Sequence, residues 1–212
     1  MVKGNTQYYD TISERYRGIS ADLQGLNAYR YARNITGGNQ EWMEAVSFQH
    51  YLTTGTLISY LEAKQLLRDL GGEGGPVDLS LEDWLLGIFD MTGELMRFAI
   101  TTMATEGTLP AVTSETPQPA SGGVDGMDVD APTRTDKRDV LKDLRALRSD
   151  LEALNVGKGS PFARDVEKKM DVMQTSVEKV EKALYGLVIR GRERPKGWLP
   201  DLDSGPRKEV EA

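Results

Sequence analysis

Four carboxylates lie among large apolar residues in two separate stretches of the chain, where a helix would normally bury its hydrophobic face. Glu41 and Glu44 belong to QEWMEAVSFQH, and Asp90 and Glu94 belong to FDMTGELMRFAI. Because residues three or four apart share a helix face, each pair borders an apolar seam. If the two helices pack antiparallel, as consecutive helices with a short connection usually do, the four side chains converge on one patch.

Carboxylates that are brought together out of water repel one another, and a divalent cation between them would offset that cost. The chain has no cysteine and a single histidine, His50, so a metal here would be held mainly by oxygen. Oxygen ligands favour Mg²⁺ or Mn²⁺, which could activate a water and stabilise charge on a phosphodiester. Arg97 could contact a phosphate, and the small residues Gly87 and Gly93 leave room for a ligand or another helix.

The same spacings also have an ordinary interpretation as solvent-exposed helix faces. Glu-x-x-Glu and Asp-x-x-x-Glu occur on many such faces, so neither pattern is specific by itself. A di-iron bundle would also need Glu-x-x-His, which is absent from both stretches. His50 could be a base or the partner of a metal ligand, and the commoner interpretation is a structural histidine.

Helical spacing of apolar residues extends over nearly the whole chain, and alternating β-branched runs are absent. The sequence therefore predicts an all-α fold, an antiparallel bundle of long helices in one domain, 1–212. A Pro-, Gly-, Ser- and Thr-rich stretch predicts a flexible connector between two groups of helices. The expected parts are helices that carry the acidic motifs at 6–104, the connector at 105–135, C-terminal helices at 136–190 and a tail at 191–212.

Glycines and capping residues predict where the helices begin and end. The first helix should stop near Gly37-Gly38 and the second at Gly71. Ser80 should cap the third helix, and Ser160-Pro161 should begin the last one. The predicted helices are 6–32, 39–70, 80–103, 136–154 and 161–189.

The formal net charge of −7 argues against a protein that grips nucleic acid alone through a broad basic surface. Either the partner is not a polyanion, or a basic partner subunit supplies the phosphate-binding surface; simple solubility is the ordinary alternative. The N-terminal residues lack the apolar run of a secretory signal, and no later stretch is apolar enough to span a membrane. We therefore expect a soluble, intracellular protein that does not bind membranes.

Three segments together resemble the translin family. They are EWMEAVSFQH from Glu41, DMTGELMR from Asp90 and YGLVIRG from Tyr185. Each is weak alone, but the three follow one another in the order and at the spacings of that family, between about residues 8 and 200. Within the family they resemble the X-type subunits in particular.

The resemblance implies a helical subunit that assembles with translin subunits into a hollow, RNA-containing hetero-oligomer with endoribonuclease activity. In this family the X-type subunit carries Mg²⁺-dependent carboxylates, and translin brings much of the basic RNA-binding surface. By motif, Glu41, Glu44 and Asp90 match the catalytic carboxylates and would be metal ligands. Glu94 stands at the acidic position of the shared Gly-Glu-Leu segment and is a further expected ligand.

The implied substrates are single-stranded or small structured RNAs, including passenger-strand fragments in RNA interference and transfer-RNA precursor fragments, with single-stranded DNA as an alternative ligand. The implied location is the cytoplasm and the nucleus. Two other functions stay open on the residues alone. One is a non-catalytic helical scaffold that binds and stabilises translin and assists nucleic-acid binding, and the other is nucleic-acid recognition without cleavage.

Overall fold

The computed structural model describes residues 6–112, 139–157 and 159–190, and within these ranges the chain is built from α-helices without strands. The predicted all-α fold is therefore confirmed. The predicted tail, 191–212, residues 113–135 of the predicted connector and residues 136–138 of the predicted fourth helix lie outside the described residues. The helices are α1 (Thr6–Ser20), α2 (Leu26–Thr54), α3 (Tyr60–Leu70), α4 (Leu81–Glu106), α5 (Val140–Glu152) and α6 (Pro161–Arg190).

The sequence predicted one helix over 6–32, followed by a break near Gly37-Gly38, and this prediction is wrong. The chain turns after α1, where Gly25 adopts a φ of 58°, and α2 then continues through both glycines. Tertiary contacts hold the turn, because the Ser20 hydroxyl donates to the Gly71 carbonyl at 2.8 Å and the Gln24 amide donates to the Pro76 carbonyl at 3.1 Å. Glycine inside a helix costs about 1 kcal/mol relative to alanine, which the packing of a long helix readily exceeds.

The single helix predicted for 39–70 is also wrong, because Gly55 divides it. Gly55 has a left-handed φ of 69°, and its N–H donates to the Tyr51 carbonyl at 2.8 Å, which closes the end of α2. A reciprocal capping box between Ser59 and Glu62 then begins α3. The chain therefore makes an additional turn between the two acidic stretches.

The predicted helix starts at Ser80 and Ser160 agree with the structure. The Ser80 hydroxyl accepts from the Asp83 N–H at 2.9 Å, and the Ser160 hydroxyl accepts from the Ala163 N–H at 3.0 Å. The fourth predicted helix, 136–154, is shorter within the described residues, since α5 begins after its capping residue Asp139 and ends at Glu152. Local capping thus fixes these ends as the sequence indicated.

The two acidic helices, α2 and α4, pack side by side in parallel, so the antiparallel arrangement expected from the sequence is wrong. Gln40 contacts Asp83, and eight residues later Phe48 packs edge-to-face on Phe98 with ring centroids 6.2 Å apart. Contact positions therefore rise together along both helices. The parallel arrangement is possible because α3 provides the return path between them.

Helix α4 lies between two hydrophobic clusters and forms part of both. One cluster joins it to α1, α2 and α3, and the other joins it to the end of α2, to α5 and to α6. Helices α5 and α6 run antiparallel, as ion pairs and hydrogen bonds of Arg145 with Glu181 and of Glu152 with Gln174 show. Among the described helices, none combines the length and the apolar character that a membrane span requires. Buried members of the two clusters include Trp42, Met43, Leu67, Ile88, Leu95, Met173 and Val177.

Candidate functional site

An open cleft of about 640 Å³ lies between α2, α4 and α6, and it brings the predicted carboxylates together. Glu41 and Glu44 reach it from α2, and Asp90 reaches it from α4. Glu94 joins the group through a hydrogen bond between its carboxyl and that of Glu44. We call these four residues with their surroundings the acidic cleft; its lining consists of Glu41, Glu44, Phe89, Asp90, Gly93, Met96, Arg97, Lys169, Asp171, Val172, Thr175, Ser176 and Lys179.

The close approach of α2 and α4 depends on Gly87. A Cβ atom at this position would stand 2.6 Å from the Cβ of Met43 and 3.0 Å from the carbonyl oxygen of Gln40, so no side chain fits. Gly93, six residues later on α4, is different, because a Cβ there would meet only an Arg97 nitrogen at 3.9 Å. Of the two glycines singled out in the sequence, the first permits helix contact and the second borders the open cleft.

Glu44 carries the largest electrostatic perturbation in the acidic cleft. Burial raises its pKa from the ordinary 4.5 to about 7, and the hydrogen bond with Glu94 and the charges of Asp90, Glu94 and Glu41 add to the rise. Glu44 thus holds its proton to a higher pH than an exposed carboxyl does, first because it is partly buried and then because its neighbours are also acids. The group is therefore poised to accept a positive charge, whether a proton or a cation.

Two basic side chains already contact the acids of the cleft. The Lys169 ammonium on α6 pairs with Asp90 Oδ2, and the Arg97 guanidinium pairs with Glu94 Oε1. The Lys169–Asp90 pair is about three-quarters enclosed at the lysine, which has 24% of its side chain exposed, whereas Arg97 has 64% exposed. Lys169 is therefore the more firmly held counter-ion.

Sequence reasoning missed the contribution of α6, because Lys169 is 79 positions from Asp90 along the chain. A signal was nevertheless present. Lys169, Val172, Ser176 and Lys179 recur at helical spacing, and the structure turns all four toward the acidic cleft. These residues lie along one edge of an amphipathic helix, where the lysines can meet carboxylates of a neighbouring helix.

His50 lies away from this site, near the end of α2, where its Nε2 is 3.2 Å from the Thr56 hydroxyl. It does not line the acidic cleft. Across 6–112, 139–157 and 159–190, no group of three or more histidine, aspartate or glutamate side chains is placed so that it could hold a metal ion. The four acids are thus neighbours in one cleft without forming a ready set of ligands.

A second polar group joins α2 and α4 below the cleft, and it is enclosed. Asp83 is only 6% exposed, and its Oδ1 accepts from the Gln40 amide at 3.1 Å and from the Thr36 hydroxyl. Its Oδ2 accepts from the Asn39 amide at 3.4 Å, and the Asn39 carbonyl oxygen accepts from the Tyr16 hydroxyl at 3.1 Å. We call these five residues the Asp83 network. Apolar periodicity and capping signals in the sequence did not indicate this network.

The Asp83 network also changes the acidity of its outermost member. Burial raises the pKa of Tyr16 well above the ordinary value of 10, and the charge of Asp83 raises it further. The phenol therefore stays protonated and keeps donating to Asn39. This fixes the amide of Asn39 with its oxygen toward Tyr16 and its nitrogen toward Asp83.

Comparison with known proteins finds one family. The model of the translin family matches residues 2–191. Translin-associated protein X from Rattus norvegicus is 30% identical over an alignment of 213 residues, and the protein of that name from Pongo abelii is 31% identical over the same length; each alignment covers 92% of this chain. The homolog from Schizosaccharomyces pombe is 27% identical over 183 residues, or 86% of this chain. The chain spans 63% of the length of the curated relatives it matches.

Proposed function

The chain belongs to the translin family, and on that premise we propose that it is the catalytic subunit of a Mg²⁺-dependent endoribonuclease that acts in complex with translin. The observation that carries the proposal is the crowding of Glu41, Glu44 and Asp90 in one cleft, with the pKa of Glu44 raised to about 7 by burial and by the neighbouring acids. The name of its relatives states an association with translin, and we extend that association to this chain.

Mg²⁺ fits the acidic cleft in the chemistry of its donors. The cleft offers carboxylate oxygens from two helices, which are the ligands that this ion prefers. Glu41, Glu44 and Asp90 would hold it, with Glu94 assisting. Lys169 and Arg97 now neutralise two of the four acids, so an arriving ion would have to displace them. When bound, the ion supplies an activated water and stabilises charge on the phosphate under attack.

The basic residues at the cleft would then serve the substrate. RNA is a polyanion and is repelled by an acidic surface, so cleavage requires positive charge beside the carboxylates. Lys169, Lys179 and Arg97 all line the same cleft and can contact phosphate oxygens there. Short single-stranded RNAs, including passenger-strand and transfer-RNA precursor fragments, are the substrates we propose, in the cytoplasm and the nucleus.

The test is to replace each carboxylate in the complex with translin. Glu41→Ala, Glu44→Ala and Asp90→Ala should each abolish Mg²⁺-dependent cleavage of a fluorescent single-stranded RNA while the complex elutes unchanged from a sizing column. Glu167→Ala is the matched control, because Glu167 is exposed on α6 and does not line the cleft. Undiminished cleavage by all three cleft variants would remove the proposal.

A non-catalytic scaffold that binds and stabilises translin and assists nucleic-acid binding is the second candidate. The ion pairs of Lys169 and Arg97 favour it, since they give the acids a structural role without a metal. Chelation separates the two functions. A purified complex that cuts RNA equally well in excess chelator supports the scaffold, whereas loss of cleavage that returns on adding Mg²⁺ supports the catalytic subunit.

A further inference from the structure

We infer that Asp83 is a positioning residue for the acidic cleft, holding α2 and α4 in the one axial register that brings Glu44 beside Asp90. The inference rests on the proposed function for its catalytic consequence. Its structural part stands on the hydrogen bonds of the Asp83 network alone. Asp83 touches none of the reacting groups and acts only through the two helices.

The network and the cleft share the same two helix faces. Asp83 precedes Asp90 by seven residues on α4, which is about two helical turns, and its donors Asn39 and Gln40 immediately precede Glu41 on α2. Because the helices are parallel, a fixed contact at Asp83 sets the axial position of α2 relative to α4 for the residues that follow it on both helices. The carboxylates of the cleft are the next polar residues along this seam.

Apolar packing between α2 and α4 sets that register only in part. The contact of Gly87 with Met43 favours it, because a side chain in place of Gly87 would collide there. Elsewhere, hydrophobic contacts are non-directional, and one turn of slip exchanges one apolar neighbour for another. A buried carboxylate is different, because it must keep its hydrogen-bond donors. A slip of one turn would move Thr36, Asn39 and Gln40 away from Asp83 together, so the network rejects neighbouring registers.

All the side-chain donors to Asp83 are neutral, and the most buried of them, Asn39, is itself oriented by Tyr16 from α1. Neutral donors keep their hydrogen bonds when the charge of the cleft changes. The register is therefore held by groups that do not respond to the proton or cation content of the acidic cleft. This separates the positioning element from the part that does chemistry.

The first test measures the register directly in the complex with translin. The chain has no cysteine, so Ala32→Cys on α2 and Glu106→Cys on α4 provide two exposed label sites near opposite ends of the parallel pair. Labelled chain is diluted into unlabelled chain, and spin-label distances are recorded. Asp83→Ala should shift or broaden the distribution by up to about one helical pitch, roughly 5 Å. An unchanged narrow distribution would overturn the inference.

The second test is kinetic, on complexes that remain folded at the assay temperature. Asp83→Ala should lower kcat at least tenfold, leave KM within twofold, and raise the Mg²⁺ concentration for half-maximal rate several-fold. Asp83→Asn retains an oxygen for Thr36 and Gln40 and should recover to within threefold of the original kcat. Gln40→Met removes a single donor and should give a milder loss if Asp83→Ala fails to fold.

Tyr60→Phe is the control for destabilisation without loss of register. It removes the hydrogen bond from the Tyr60 hydroxyl to the Leu79 carbonyl, 3.0 Å long and remote from the cleft. A loss of kcat in Asp83→Ala that merely equals the loss in Tyr60→Phe would sink the inference. The distance measurement does not depend on catalysis, so cleavage that survives in the three carboxylate variants would remove the proposed function and leave the register intact.

Discussion

The same two helices hold carboxylates in two regions that differ in almost every other respect. In the Asp83 network the carboxylate is nearly enclosed, and neutral donors from α2 satisfy both of its oxygens. In the acidic cleft the carboxyl of Glu44 is half-buried and meets other acids, so its pKa rises to about 7. The two carboxylates therefore differ chiefly in their partners, which are neutral donors at Asp83 and other acids at Glu44.

The difference originates in four residues of α2. Thr36, Asn39 and Gln40 present donors to α4, and one turn later Glu44 presents a carboxyl to the acids of the same helix. Donors facing a carboxylate make a fixed structural contact, whereas acids facing acids leave charge that must be balanced from outside. The same helix pair thus holds a fixed hydrogen-bonded contact at Asp83 and, further along, a group of acids that attracts cations.

The largest effect should come from Gly87→Ala, which acts between the two regions. The added methyl would collide with the Met43 Cβ and the Gln40 carbonyl, so we expect a loss of about 2 kcal/mol in unfolding free energy. Gly93→Ala on the same helix meets open space and should instead stabilise by about 0.5–1 kcal/mol. Urea unfolding of both variants checks the pair, and changes of the same sign would contradict the close contact at Gly87.

Tyr16→Phe should destabilise the Asp83 network by removing the hydroxyl that donates to Asn39. Loss of the hydroxyl leaves the buried Asn39 oxygen without its donor, which should cost about 1.5 kcal/mol. The control is Tyr29→Phe, because Tyr29 is 85% exposed and its change should stay within about 0.5 kcal/mol. Thermal unfolding measures both, and equal midpoints for the two variants would show that the Asn39 contact contributes nothing.

Glu44→Gln should reveal the charge conflict in the cleft through pH. A carboxyl whose pKa is raised by folding holds its proton more tightly in the native state, so unfolding free energy falls as pH rises from about 4.5 to about 7. Glutamine cannot ionise and should remove this decline, a gain of about 1 kcal/mol above pH 7 after solvent screening is allowed for. Denaturation at pH 5 and pH 8 without metal measures the difference.

Glu62→Gln should change the pH dependence of the unfolding free energy in the opposite direction to Glu44→Gln. Hydrogen bonds from Ser59 lower the pKa of Glu62, so its contribution to stability is present above the unfolded pKa and is lost as pH falls through the folded one. Replacing it should therefore cost stability at pH 8. Identical pH dependence in Glu44→Gln and Glu62→Gln would refute the environment assigned to Glu44.

The smallest effect is expected from Arg97→Gln at the cleft margin. Its ion pair with Glu94 spans three residues on one helix face, and the arginine is 64% exposed. Such pairs contribute about 0.5 kcal/mol or less and are screened by salt. In low salt the variant should have a slightly smaller unfolding free energy than the original chain, and in 1 M salt this difference should disappear. A large loss of stability that does not depend on salt would contradict the exposed position of this ion pair.

Much of the fold followed from local signals in the sequence. Serine caps at Ser80 and Ser160 fixed the starts of α4 and α6, because a capping side chain satisfies N–H groups only a few residues away. The break at Gly25 was missed and a break at Gly37-Gly38 was wrongly expected. Which glycine ends a helix here depends on contacts with residues about 50 positions away, such as those from Ser20 to Gly71 and from Gln24 to Pro76.

The gathering of the four acids was predicted from helix periodicity, although the antiparallel packing assumed for it was wrong. Periodicity fixes which residues share a face but not which way a neighbouring helix runs, and the short turn at Gly55 that creates α3 leaves little trace in apolar spacing. Lys169 could not be assigned to Asp90 because their pairing exists only once α6 has packed on α4. The Asp83 network likewise needed the observed register.

The return path through α3 also dictates an order of events during synthesis. Helix α2 leaves the ribosome before α3 and α4, and α6, with Lys169, is the last of the described helices to emerge. Until α6 has been synthesised and has packed on α4, the acids of the cleft therefore lack the counter-charge of Lys169. A nascent chain halted before α6 should therefore expose these acids in an open groove between α2 and α4, without the Lys169 ammonium.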